Sequence, residues 1–155
     1  APVAGQLPTM PEEPLPLSGT AADAPDNDVS VEAIARLSAE HGFADITEVT
    51  LAQYKPVRYI KLLKQLFTEH GEDGSLILTL LDRNTDDATQ EARRVAHTLK
   101  GVAATFGLTE LSVLAGRLQE HMGTGSNPAL LAADAKALQA MLKHLAMTAA
   151  ETIDR

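Results

Sequence analysis

The stretch "AHTLKGVAATFG", residues 96–107, decides how this chain is read. Its apolar residues recur with a helical period, yet Gly101 stands in the middle. A mid-helix glycine costs about 1 kcal/mol relative to alanine. With His97 set at zero and each residue advancing about 100°, Ala92, Val95, Leu99, Val102 and Phe106 gather on the opposite side as the core stripe. Gln90, Arg93, Arg94, Lys100, Gly101 and Ala104 gather around His97 itself. Lys100 at i+3 and Gly101 at i+4 are its neighbours on a helix surface. A surface histidine near a lysine is commonly just a solvated face. The glycine is the feature that asks for a reason.

Working outward, the same periodicity predicts helices along most of the chain. "NTDDAT", residues 84–89, is a loop rich in capping residues, and a helix follows over about 86–106. Gly107 takes the C′ place, with Leu108 as its hydrophobic contact. Thr109 is expected to cap the next helix, which carries Leu111, Leu114, Leu118 and Met122 inward. "GTGSNP" breaks it, and a last helix runs from Pro128 to about 152 with Leu131, Leu138, Leu142 and Leu145 inward. Upstream, Ser30 is expected to cap a helix bearing Val31, Ile34 and Leu37 that ends at Gly42. A short helix with Ile46, Val49 and Leu51 follows, then a longer one from Pro56 past His70 along Val57, Ile60, Leu63 and Phe67. Gly71 and Gly74 threaten that helix. "SLILTLL", residues 75–81, fits a strand or a helix equally. Helix is chosen, because nothing else offers a strand to pair with it. The sum is an all-α fold, an antiparallel four-helix bundle with an extra short N-terminal helix or helices.

The first 28 residues differ in kind. They hold six of the eight prolines and five acids, with no lysine or arginine. This composition predicts an extended, disordered linker over 1–28 and a bundle over 29–155, its core at about 44–150. A linker at the start, and Ala1 in place of Met, are read as a piece of a longer protein with a domain upstream. The net charge of −8 falls to −3 once the five linker acids are set aside. Nucleic-acid binding wants a basic face, so it is not expected. No apolar run is long enough to span a membrane, and no membrane contact is expected. There is no cysteine, which excludes disulfides and thiolate metal sites.

An open imidazole beside a cation suits receiving and holding a phosphoryl group, since lysine gives phosphate oxygens charge-assisted hydrogen bonds. The motif His97-x-x-Lys100-Gly101, followed by small residues, Phe106 and Gly107, resembles the core of histidine phosphotransfer (HPt) domains. "LTELSVLAGRLQEHM", residues 108–122, resembles the family's next helix. The resemblance covers roughly residues 44–150 and is sharpest over 95–122. It implies a four-helix bundle whose histidine carries a phosphoryl group between aspartates of receiver domains in bacterial phosphorelays. His97 is then the acceptor, Lys100 and Gln119 stabilise the phosphate, and Gly101 clears the receiver's approach. Arg93, Arg94 and Ala104 belong to the receiver-docking face, where the arginines favour encounter with an acidic mouth. The alternative is a helical module that docks a receiver or kinase without carrying phosphate.

No glycine-rich phosphate loop or kinase nucleotide motif occurs, so no autonomous ATP-dependent activity is expected. No cofactor is expected on this chain, and Mg²⁺ is expected on the partner receiver. The chain supplies a nucleophile, a neutral ring nitrogen of His97. His41 and His70 read as helix-end residues. His121 and His144 lie on different helices and invite comparison with a metal site, but no metal is expected. The reading is completed by a cytoplasmic, monomeric module, the C-terminal part of a hybrid sensor kinase of the inner membrane.

Overall fold

The computed structural model describes residues 29–125 and 127–154, Leu51 by its backbone alone. The expected linker, residues 1–28, and the inward placement of Leu51 lie outside that description. Helix α1 spans 29–37. It is followed by α2 (Ile46–Gln53), α3 (Pro56–His70), α4 (Asp73–Asp82), α5 (Asp86–Thr105), α6 (Thr109–Gly123) and α7 (Pro128–Ile153). The described residues contain no strand, and "SLILTLL" lies within α4.

Four helices close into a ring. α4 packs on α5, α5 on α6, α6 on α7, and α7 back on α4, while α3 leans on α7. Short connections between successive helices make the ring antiparallel. Its axis is filled by Leu99, Leu111, Leu118, Leu138 and Leu142, all fully buried. Each contributes about 2 kcal/mol by leaving water.

The helix expected from Pro56 past His70 is interrupted by two residues. Gly71 (φ −61°, ψ −19°) and Glu72 (φ −113°, ψ 14°) separate α3 from α4 without leaving the helical neighbourhood. Gly74 does not break α4. It is a point of close approach between α4 and α7, since a methyl group there would lie 2.6 Å from the backbone nitrogen of Gln139. The Gln139 side chain ties the junction further. It accepts from the Ser75 amide at 3.0 Å and donates to the Gly71 carbonyl at 2.9 Å.

The N-terminal residues belong to the bundle. Ala33, Ile34, Leu37 and Phe43 are buried in the same core, and the Arg36 guanidinium donates to the Thr152 carbonyl at 3.2 Å. The packed core therefore begins ahead of residue 44. Ser30 is not a cap but a residue inside α1, and Val31 faces solvent at 49% exposure.

Helix α5 is pinned at both ends. Thr85 accepts from the Ala88 amide through its hydroxyl at 3.1 Å, and Asp86 and Asp87 complement the helix dipole. At the other end Gly107 takes φ +78°. Its amide donates to Ala104, and the Leu108 amide to Ala103, at 3.1 and 2.9 Å. This pair of bonds is the glycine-terminated stop that the sequence announces. Thr109 is not the cap of α6: Leu108 holds that place, and the Thr109 hydroxyl donates to Asp45 at 2.5 Å. Tyr54 stacks on Phe106 with ring centroids 5.8 Å apart. The Tyr59 hydroxyl donates to the Phe106 carbonyl at 2.7 Å, and burial pushes its ionisation well above the usual tyrosine range. The turn between α5 and α6 is thus fixed from outside the ring.

Candidate functional site

His97 lies on the outward face of α5, exposed as the helical period predicts. Directly beneath the opposite face, Ala96 and Leu99 are fully buried. The histidine therefore stands on a rigid base while its ring reaches solvent. Across the α5–α6 seam, the Gln119 side-chain amide donates to Nδ1 of His97 at 3.1 Å. With Nδ1 engaged, Nε2 is the nitrogen left open to a reactant. The antiparallel packing thus brings together two candidate residues separated by 22 positions.

The register across the seam is regular. Arg93, His97 and Lys100 follow one another at i, i+4 and i+7 on α5. Opposite them on α6 stand Gly123, Gln119 and Gly116. A methyl group on Gly116 would lie 3.2 Å from Cδ of Lys100, and one on Gly123 would lie 2.8 Å from Nη2 of Arg93. The two glycines are seats on which these long side chains lie across α6. Sequence reasoning passed over both. The signal was present, since two glycines seven residues apart mirror two cations seven residues apart.

A shallow, solvent-open cleft of about 290 Å³ lies beside the histidine, lined by Gln90, Arg93, Arg94, His97 and Gln119. Lys100 does not line it, because its stem runs toward Gly116. The cations around the site differ in state. Arg94 is paired with Glu91 one turn earlier on its own helix. Arg93 and Lys100 have no ion-pair partner among the described residues.

Gly101 is exposed, and a methyl group built there meets nothing within 4 Å. Ala104, one turn further along, is exposed as well. The backbone under this bare patch is held by two hydroxyls: Ser112 donates to the Lys100 carbonyl at 2.9 Å and Thr105 to the Gly101 carbonyl at 3.0 Å. Nothing among the described residues explains the glycine by packing.

The other histidines have separate partners. His70 Nδ1 meets Asp73 at 2.8 Å, and that hydrogen bond raises the His70 pKa against the opposing effect of burial. His121 pairs with the buried Asp134 at 2.7 Å. His144 lies against His41, ring centroids 6.5 Å apart, and His41 meets Glu110 at 3.1 Å. His121 and His144 are thus committed to different neighbours. Among the described residues, no group of three histidine or carboxylate side chains is arranged to hold a metal ion.

Compared with protein-family models, the chain matches that of the Hpt domain over residues 61–148, from early α3 through most of α7. No curated protein and no solved structure matches.

Proposed function

Because this chain belongs to the Hpt domain family, whose members act in histidine phosphotransfer within phosphorelay signalling and interact with receiver domains, we propose that His97 is the residue that carries the phosphoryl group here. The observation that carries this reading is the hydrogen bond between Gln119 and Nδ1 of the exposed His97. It fixes the ring and leaves Nε2 facing a partner.

The neutral ring has one protonated nitrogen and one lone pair. Attack from Nε2 needs the proton on Nδ1. Rotating the Gln119 amide by 180° presents its oxygen to Nδ1–H at the same place. The Nε2 lone pair then attacks the phosphorus of a receiver's aspartyl phosphate. The N–P bond forms, the acyl O–P bond breaks, and the aspartate leaves as carboxylate. The positive charge gained by the ring is held at Nδ1–H against Gln119 until the proton passes to solvent. Return transfer to a second receiver is the same step reversed. Such transfer depends on positioning and charge stabilisation, and Mg²⁺ belongs to the receiver in this scheme.

The bare surface at Gly101 supports a docking role. The glycine costs α5 about 1 kcal/mol that no contact among the described residues offsets, which supports a use in what approaches from outside. Ala104 extends that flat surface. In this reading the module works as a cytoplasmic monomer and the C-terminal part of a hybrid sensor kinase. No helix among the described residues is long and apolar enough to cross a membrane.

The test incubates the chain with a phosphorylated receiver, Mg²⁺ and radiolabel, beside His97→Gln. The expected result is acid-labile, alkali-stable label on the wild type and none on the variant. Equal label on both overturns the assignment of His97. Stable complex formation without transfer of label supports the docking module instead.

A further inference from the structure

The composition of the cleft at His97 separates the cations around it. Of its five lining residues, two are cations, Arg93 and Arg94. Arg94 is paired with Glu91. Arg93 is not paired among the described residues, and its guanidinium lies against the bare backbone of Gly123, within 3.3 Å of where a Cβ would stand. A side chain at 123 would lift it away. Lys100, the cation expected from the sequence to hold phosphate, is directed toward Gly116 and does not line the cleft.

We propose that Arg93, seated on Gly123, is the cation that binds the phosphoryl oxygens on His97, and that Gly123 is its positioning residue. The inference rests on His97 being the phosphoryl carrier. The cleft has room for the group: a water takes up about 30 Å³ in the liquid, and the cleft measures about 290 Å³. A guanidinium presents planar donors that match phosphate oxygens, and its charge is unconditional near neutral pH. Lys100 lies further along the same seam, its stem over Gly116, and does not line the cleft.

The consequence is control over how long the group is stored. Loss of a phosphoryl group from nitrogen passes through a loose, metaphosphate-like state; the P–N electron pair leaves with the ring, so the phosphoryl oxygens carry less negative charge there than in the starting dianion. A cation bound to those oxygens holds the starting state more tightly and slows loss to water. Arg93 therefore sets the lifetime of phosphohistidine when no receiver is bound.

The experiment loads the chain with phosphoramidate and follows the phosphohistidine signal by ³¹P NMR in the absence of any receiver. The P–N bond of the reagent breaks, ammonia leaves, and the N–P bond to histidine forms. Arg93→Gln is expected to shorten the half-life on the order of tenfold, the lower end of the worth of a hydrogen bond to a charged group. Gly123→Ala is expected to shorten it in the same direction with the charge intact, and Arg93→Lys to recover part of the loss. Lys136→Gln, an exposed charge on α7, controls for net charge and is expected to match the wild type. A half-life unchanged in Arg93→Gln, or shortened only in Lys100→Gln, overturns the inference alone. A wild type that takes up no phosphoryl group, or takes it up equally in His97→Gln, overturns the carrier assignment and this inference with it.

Discussion

Gln119 of α6 meets Nδ1 of His97 on α5 at 3.1 Å, so the His97 ring is oriented by the neighbouring helix rather than by its own. A half-exposed glutamine contributes little to stability. Its worth lies in the charge that develops on the ring. Gln119→Leu is expected to lower the rate of transfer from a receiver on the order of tenfold, the value of a hydrogen bond to a charged group. Its thermal midpoint should stay close to wild type. Stopped-flow or quench-flow transfer kinetics beside a melting curve check both halves.

Gly101→Ala separates fold from function. The new methyl group meets nothing within 4 Å among the described residues, so helix propensity alone acts. Stability is expected to rise by about 1 kcal/mol, or roughly 3 °C in the melting midpoint. Transfer from a receiver is expected to slow on the order of tenfold, because a methyl group forced into a close contact costs about 1–3 kcal/mol. A stabilised variant with unchanged transfer would remove Gly101 from the docking surface.

Gly74→Ala should do the reverse. Its Cβ would lie 2.6 Å from both Cβ and the backbone nitrogen of Gln139, and a backbone does not step aside cheaply. The expected loss is about 2–3 kcal/mol, read from the denaturant midpoint. The phosphotransfer rate of the folded fraction should be unchanged, since α5 and α6 are not part of that contact.

His70 gives the fold a pH dependence. Its hydrogen bond to Asp73 raises its pKa in the folded state above the ordinary value of 6.5. A raised histidine pKa contributes stability that is fully present below 6.5 and is lost as pH rises through the folded value. The stability margin of the wild type over His70→Asn is therefore expected to be largest near pH 5.5 and to shrink steadily toward pH 8.5. Denaturation at a series of pH values measures it. A margin that grows with pH would contradict the pairing.

The helical architecture was legible because apolar residues recur at the helical period, and the limits of α5 were legible because Thr85 and Gly107 are local start and stop signals. The His97, Lys100 and Gly101 face was legible for the same reason, since it lies on one helix. What escaped was long-range. Thr109 reads as a cap, yet a carboxylate 64 positions away claims its hydroxyl. Gly74 reads as a breaker, yet its use is close contact with α7. The tie of Gln119 to His97 followed only from resemblance, because spacing on one helix says nothing about register against another. The seats at Gly116 and Gly123 show the same limit: each makes sense only opposite a particular cation on α5. The junction of α3 and α4 was half-visible, with Gly71 marking the break but not the near-helical path through it.

The central claim is that Nε2 of His97 takes the phosphoryl group. The most direct test is ¹⁵N NMR of the five imidazoles in selectively labelled protein, before and after phosphorylation by a receiver. Phosphorus coupling and a large shift are expected at Nε2 of His97, with its Nδ1 still hydrogen-bonded and the other four rings unmoved. Coupling at Nδ1 of His97, or at any other histidine, would contradict it.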